Sequence, residues 1–285
     1  MNVQLRPGTS ADAPACGRIL YAAFQAIADQ HHFPPDFPSV EVATGATTAL
    51  LAQPGVYAVV AEHDGQIVGS NFLDERSMIA GIGPVSVDPP AMDAGVGRQL
   101  MQAVLERAAE RQFPGVRLLQ IAWHLRSLAL YTTLGFDTRE TISALQGAPL
   151  ALALPGYSVR PAQEADLGAC NQLCRRVHGH DRGGELRDAI GQGSATVVER
   201  LGRLTGYATG MGWFHHAVAE TNDDLKALIG AAPAFAGPGF LVPSRNGEVV
   251  RWCLQQGLRV VNQATLMTIG LYNEPAGAYL PSILY

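Results

Sequence analysis

Two glycines separated by one residue, at the start of an amphipathic stretch, give this sequence its clearest chemistry, the capacity to hold an anion. They lie in Asp93-Ala-Gly-Val-Gly-Arg98. Gly95 and Gly97 let backbone N–H groups approach a ligand closely, and the first turn of a following helix adds orphan donors and partial positive charge. A pyrophosphate is the natural guest. The dinucleotide fingerprint requires a small residue where Leu100 stands, and the nucleoside triphosphate loop requires Lys-Ser/Thr where Arg98-Gln99 stand, so spacing excludes both. A tight strand-to-helix turn with no ligand is the competing reading of the glycines alone.

For the cradle to work, a strand must lead in and a helix must lead out. Leu100, Met101, Val104, Leu105 and Ala108 recur at helical spacing with Arg98, Glu106, Arg107 and Glu110 between them, so a helix is expected over 95–112. Upstream, strands are expected over 56–62, 66–75 and 78–87, with Asp64-Gly65 turning the first hairpin. Downstream, Trp123-His-Leu-Arg-Ser-Leu-Ala-Leu-Tyr-Thr-Thr-Leu-Gly-Phe136 reads as the end of a strand over 116–123, a helix over 125–134 and a glycine stop. A strand at 2–6, helices at 10–29 and about 39–52, and a closing hairpin running to 154 complete the first half. The apolar run Leu150-Ala-Leu-Ala-Leu154 is expected to finish its sheet.

Taken together, Val87-Asp-Pro89, Gly95-x-Gly-Arg-x-Leu-Met101 and Leu130-Tyr-x-x-Leu-Gly-Phe136 resemble the GNAT superfamily of acyl-CoA-dependent N-acyltransferases. The resemblance implies an α/β fold whose mixed, mostly antiparallel sheet has splayed central strands flanked by helices. One splayed strand would end near Val87 and the other near His124, with acetyl-CoA, the acyl-donor cosubstrate, in the gap. The backbone of Val85, Ser86 and Val87 would bind the pantetheine arm as an added strand would. Asp93, Ala94, Gly95, Val96, Gly97 and Arg98 would wrap the pyrophosphate. The loop His31-His-Phe-Pro-Pro-Asp-Phe-Pro-Ser39 lies where the family places a wall of the acceptor site; a proline-stiffened connector is its plainer reading. Three positions depart from the family pattern: Met92 replaces a Gln or Arg, His124 an Asn, and Ser127 an Ala.

The reaction so implied is direct acyl transfer to the primary amine of a small molecule or peptide, with a backbone N–H near Val87 meeting the oxyanion. Tyr131 would protonate the departing sulfur, its ordinary pKa near 10 keeping the hydroxyl protonated at neutral pH; aromatic packing is its structural alternative. An alkylamine with a pKa of about 10.4 is only about 0.04% neutral at pH 7, so a base is useful. Glu75, Asp74 and His124 are the candidates. A noncatalytic CoA- or small-molecule-binding module is the rival reading, favoured by Met92.

Composition sets the frame. A chain of 285 residues, 47% hydrophobic and 16% charged, can bury a large core and is long enough for two domains. A net charge of -5 with no Lys/Arg run argues against nucleic acid as a partner. No apolar stretch has the length of a membrane span and the N-terminus lacks a basic-then-apolar export signal, so no membrane partner and a cytoplasmic location are expected. Cys16, Cys170, Cys174 and Cys253 form no CxxC pair and read as reduced core thiols. Cys170 and Cys174 with His178 or His180 close no set of four ligands, so no metal is expected. A homodimer is left open.

The chain also repeats itself. Arg6-Pro-x-x-x-Ala-Asp-x-x-Ala-Cys16 recurs as Arg160-Pro-x-x-x-Ala-Asp-x-x-Ala-Cys170. Two tandem GNAT-like domains follow, 1–155 and 156–285, joined near Pro155-Gly156. The second departs chemically: an expected strand over 209–216 leads to a segment with Glu220, Asp223 and Asp224 and no glycine pair, and Cys253 stands in the place of Tyr131. Carboxylates there would repel an anionic ligand, each by about 1 kcal/mol at 4 Å even in water. The chemistry is therefore expected in the first repeat.

Overall fold

A computed structural model describes residues 2–284. Compactness divides the chain into two units: the first holds the chain up to Glu75, then Ile79–Leu118 and Trp123–Phe136; the second holds Arg76–Met78, Leu119–Ala122 and the chain from Asp137 onward.

The first unit runs β1 (Gln4–Pro7), α1 (Ala13–His31), α2 (Val40–Ala52), β2 (Val56–His63), β3 (Gln66–Asp74), β4 (Ile79–Ile82), β5 (Ser86–Val87), α3 (Val96–Glu110), the start of β6 (Gly115–Ile121) as far as Leu118, and α4 (Leu125–Thr133). Strands β1 to β4 pair antiparallel in chain order, and β6 joins parallel to β4. The expected continuous strand over 78–87 is instead two. Pro84 has no N–H to give a ladder, and on β3 the register passes from Leu73↔Ile82 to Ser70↔Ser86, so this strand carries one extra residue across the break. Beyond the break β5 keeps β3 as its neighbour and takes no place beside β6. That is the strand arrangement expected of a splay.

The repeated Arg-Pro-x-x-x-Ala-Asp motif has a structural reason. Arg6 bridges Asp12 at 2.8 Å and Glu62 at 2.7 Å, and Arg160 bridges Asp166 at 2.8 Å and Glu199 at 2.7 Å. Each arginine ties its strand to the start of the next helix and to the neighbouring strand. The Arg6 guanidinium holds the Asp12 carboxyl well below the usual range, at about 2. In both copies the expected helix opens with a short 3-10 turn, Ser10–Asp12 and Glu164–Asp166.

The second unit contains β7 (Asp137–Gln146), β8 (Tyr157–Pro161), α5 (Leu167–His178), α6 (Gly183–Gly191), β9 (Thr196–Arg200), β10 (Arg203–Ala208), β11 (Ala217–Ala219), α7 (Asn222–Ala231), β12 (Phe240–Pro243), α8 (Gly247–Gln255), β13 (Arg259–Gly270) and β14 (Ala278–Leu280). Two expectations fail here. Leu150–Leu154 is not a strand: Ala151 has a φ of 51°, and the Leu152 N–H is taken by the Gly230 carbonyl. The partners of β7 are β13 and β12, paired antiparallel on its two edges. Nor is 209–216 a strand; Gly210 at φ 149° turns the chain, and Thr209 N–H donates to the His216 carbonyl to close a loop. Strands β8, β9, β10, β11 and β14 form a separate antiparallel sheet. All four cysteines are buried and free.

Candidate active site

Helix α3 presents the cradle. Its apolar stripe, Val96, Leu100, Met101, Val104 and Ala108, is buried, and each of the four larger side chains contributes about 2 kcal/mol on leaving water. The approach to β3 is close: a Cβ on Gly69 would lie 2.9 Å from Leu100 Cδ1 and from the Ser86 carbonyl oxygen. Gly69 was not among the expected site residues, although an isolated glycine within a strand pattern is the signal for such a contact. Gly95 precedes α3 in the left-handed region, φ 81°, and no side chain caps the first turn. The opening N–H groups of α3 are thus held at a fixed helix start, and among the described residues no side chain caps them.

Gly97 is where three segments meet. A Cβ there would stand 3.7 Å from Val87 Cγ2 of β5 and 3.9 Å from Leu130 Cδ2 of α4, ordinary contact distances. Packing within the protein therefore does not require a glycine at this position, and a Gly inside a helix costs about 1 kcal/mol relative to Ala. Close approach of a ligand does require one. Two cations border the loop. Arg98 donates to Thr133 Oγ at 3.1 Å, and Arg126, from the first turn of α4, forms an ion pair with Asp93. Within Asp93–Arg98 itself Arg98 is the one cation; Arg126 joins it only because α4 lies against the loop.

Beside the cradle, β5 exposes backbone. Asp88 N–H donates to the Val68 carbonyl at 2.9 Å, and Ser86 stands opposite Ser70 in the same ladder. In an antiparallel pair the bonded residues alternate, so the N–H and C=O of Val87 face away from β3, on an edge where no strand pairs among the described residues. Ser86 is buried, its hydroxyl 3.1 Å from that of Ser70; it holds β5 in register rather than facing a ligand. Val85 lies in the break just before β5.

Tyr131 sits on α4 one residue after Leu130. Its ring is 6.1 Å from that of Phe136, and among the described residues its hydroxyl has no hydrogen-bond partner. Burial pushes its pKa up to about 12, so the phenol is protonated throughout the neutral range. His124 stands at the N-cap of α4, where its carbonyl accepts from the Ser127 hydroxyl at 2.9 Å. Burial, then the Arg126 and His31 charges, lower its pKa to about 4. The imidazole is neutral at pH 7 and a weak base.

The carboxylates stand elsewhere. Glu75 accepts from Arg107 Nε at 2.8 Å and from a terminal guanidinium nitrogen at 3.2 Å, with Arg111 3.7 Å away. Arg107 lies ten residues beyond Gly97, roughly 15 Å along the helix. Glu75 is thus engaged near the far end of α3 and is not brought to the cradle; Asp74, its buried neighbour, ends β3. What does gather at the start of α4 is aromatic. Phe33 stacks on Trp123 with centroids 4.7 Å apart and planes within 6°, and His31 lies 5.1 Å from the same indole. The loop after α1 is therefore packed onto the residue preceding His124, a contact separated by about 90 positions in sequence and invisible to local pattern.

Among the described residues no group of three or more His, Cys, Asp or Glu could hold a metal, and no helix is long and apolar enough to cross a membrane.

Residues 20–136 match the family model described as the acetyltransferase (GNAT) family. No curated protein matches the chain. Among solved structures, a candidate acetyltransferase from Pyrococcus horikoshii superposes with a TM-score of 0.77 at 16% identity, covering 97% of this chain and 92% of that one. A GCN5-related N-acetyltransferase from Sphaerobacter thermophilus gives 0.63 at 16% identity, covering 95% and 96%. A tandem GNAT protein from the clavulanic acid biosynthesis pathway gives 0.55 at 14%, covering 94% and 98%. At these identities the likeness is one of fold. Residues 20–136 thus resemble the GNAT acetyltransferase family, and the chain shares the fold of a tandem GNAT protein along nearly its whole length.

Proposed function

We propose that the first repeat of this GNAT-fold chain is an acetyl-CoA-dependent N-acetyltransferase acting on a primary amine of a small molecule or peptide. The observation that carries the reading is the meeting of three features at Gly97: the uncapped start of α3, the unpaired backbone edge at Val87, and α4 with Tyr131. Acetyl-CoA supplies an acetyl group activated as a thioester. The N–H groups at the start of α3 bind its pyrophosphate, with Arg98 and Arg126 at the rim. The Val87 edge orients the pantetheine arm and offers an N–H to the carbonyl oxygen as negative charge grows on it. The neutral amine attacks that carbonyl and forms the carbon–nitrogen bond, the carbon–sulfur bond breaks, Tyr131 gives its proton to the sulfur, and the proton lost by the nitrogen passes to water, from which the phenolate is reprotonated.

Of the expected bases, His124 at the mouth of α4 is the one near the site, and as a neutral, weakly basic imidazole it serves better to accept a hydrogen bond from the amine than to remove a full proton. The aromatic group of His31, Phe33 and Trp123 forms the acceptor wall. The sequence join at 155/156 marks where one repeat ends and the next begins, whereas compactness assigns β7 to the second unit because its strand partners lie there.

Incubation with acetyl-CoA and a panel of primary amines, read as thiol release, tests the proposal. Release that depends on an amine supports it. Tight binding of coenzyme A with no release under any amine would replace it with a noncatalytic binding module.

A further inference from the structure

The second repeat has one strand more than the first. β8, α5, α6, β9, β10, β11, α7, β12, α8 and β13 follow the same order as β1, α1, α2, β2, β3, β4–β5, α3, β6, α4 and β7. β14 has no counterpart. In the first repeat β5 pairs with β3, and its other edge is the one proposed to take the pantetheine arm. In the second, β11 pairs with β10 on one edge and with β14 on the other, through Ala217↔Leu280, Val218↔Tyr279 and Ala219↔Ala278.

We infer that the C-terminal strand occupies, within its own chain, the slot of the second repeat that corresponds to the acyl-donor slot of the first, and so closes that repeat to the cofactor. The correspondence rests on the function proposed above; the occupation of the slot rests on the second repeat alone. β14 is seated as core. Ala278, Tyr279 and Leu280 are 5%, 3% and 2% exposed. Ala278 and Leu280 share an apolar cluster with Ala219 of β11, Leu225 of α7 and Phe240 and Val242 of β12, the elements that correspond to the lips of the first slot. The approach of the strand is fixed as well. Ala276 N–H donates to the Val177 carbonyl at 2.8 Å, and a Cβ on Gly277 would lie 2.8 Å from Val177 Cγ2 and 3.0 Å from the Ala219 carbonyl oxygen, so only glycine passes there. The Tyr279 hydroxyl donates to Glu140 Oε2 at 2.6 Å and locks the strand from the other side. A slot that in an acyltransferase takes a pantetheine amide chain is shaped for an extended backbone, and a peptide strand satisfies the same edge donors and acceptors.

Hydrogen exchange on the full chain tests this. The amides of Ala278–Leu280 and Ala217–Ala219 should exchange at least about a hundredfold more slowly than open chain, and saturating acetyl-CoA should slow Val85–Val87 without changing Ala217–Ala219. Leu280→Asp, which places a carboxylate in the apolar cluster, should speed exchange at Ala217–Ala219 by about tenfold or more, and a peptide with the sequence of residues 275–284 should reverse this where coenzyme A does not. Rapid exchange of Ala278–Leu280 in the parent chain, which needs no variant, would overturn the inference. So would protection of Ala217–Ala219 by coenzyme A in Leu280→Asp, or failure of the peptide to restore protection in the folded variant. Protected Ala278–Leu280 with no effect of acetyl-CoA at Val85–Val87 would instead count against the acyl-donor site in the first repeat.

Discussion

Helices α3 and α7 begin at corresponding places in the two repeats and treat their first N–H groups in opposite ways. At α3 a left-handed glycine leads in and no side chain caps the turn. At α7 the Thr221 hydroxyl accepts from the Asp224 N–H at 3.2 Å, while the Asp224 carboxylate accepts from the Thr221 N–H at 3.0 Å and from the hydroxyls of Thr221 and Thr205 at 2.5 Å each. Arg200 lies 3.5 Å from the same carboxylate. The Thr221 hydroxyl thus takes a first-turn N–H of α7, and the Asp224 carboxylate sets a built-in negative charge beside the helix start. The same fold can therefore leave its helix start open to an external anion or cap it from within the chain.

Gly97→Glu should have the largest effect. It brings bulk and negative charge to the meeting point of β5, α3 and α4 and should weaken acetyl-CoA binding by about a thousandfold or more, with unchanged circular dichroism. Calorimetry giving the parent affinity in a folded variant would remove the distinction between the two helix starts. Next, Asp224→Ala should cost about 3 kcal/mol of stability in denaturant, since it leaves buried donors unpaired, while acetyl-CoA affinity stays within about twofold. A large loss of affinity in the still-folded protein would place cofactor contacts in the second repeat.

Tyr131→Phe removes a hydroxyl without much volume and should lower kcat by about a hundredfold with KM for acetyl-CoA nearly unchanged. Equal turnover in parent and variant would reduce Tyr131 to a packing residue like its counterpart Cys253. The smallest effect is expected from His124. Because its pKa is lowered to about 4, its charge does not change between pH 5.5 and 8, and His124→Gln should leave the shape of the kcat/KM profile in that range unaltered. An inflection near 6.5 that the substitution abolishes would show that the folded histidine titrates normally. The linkage has a definite sign: a histidine whose pKa falls on folding adds stability above about pH 6.5 and loses it as pH drops toward 4, so unfolding midpoints should decline over that interval and the decline should lessen in His124→Gln.

Local pattern was enough for much of this protein. The 3.6-residue spacing from Leu100 to Ala108 placed α3, the Leu-Tyr-x-x-Leu-Gly-Phe run placed α4 and its stop, and the glycine pair marked the helix start, since these depend on neighbours within a turn or two. The duplicated Arg-Pro-x-x-x-Ala-Asp marks the repeat in the sequence, and its ion pairs give the reason. Tertiary structure alone decided the partners of distant segments. By spacing alone Glu75 is available as a base, but Arg107 pairs with it; His124 has a suitable ordinary pKa, but burial and the nearby Arg126 lower it; and the apolar run 150–154 reads as a strand, but β13 and β12 hold the edges of β7. The place of β14 against β11 likewise follows from no periodicity in Ala278–Leu280. Strand edges and buried charges choose among all segments that can reach them, and that competition is settled by the folded chain rather than by spacing along it.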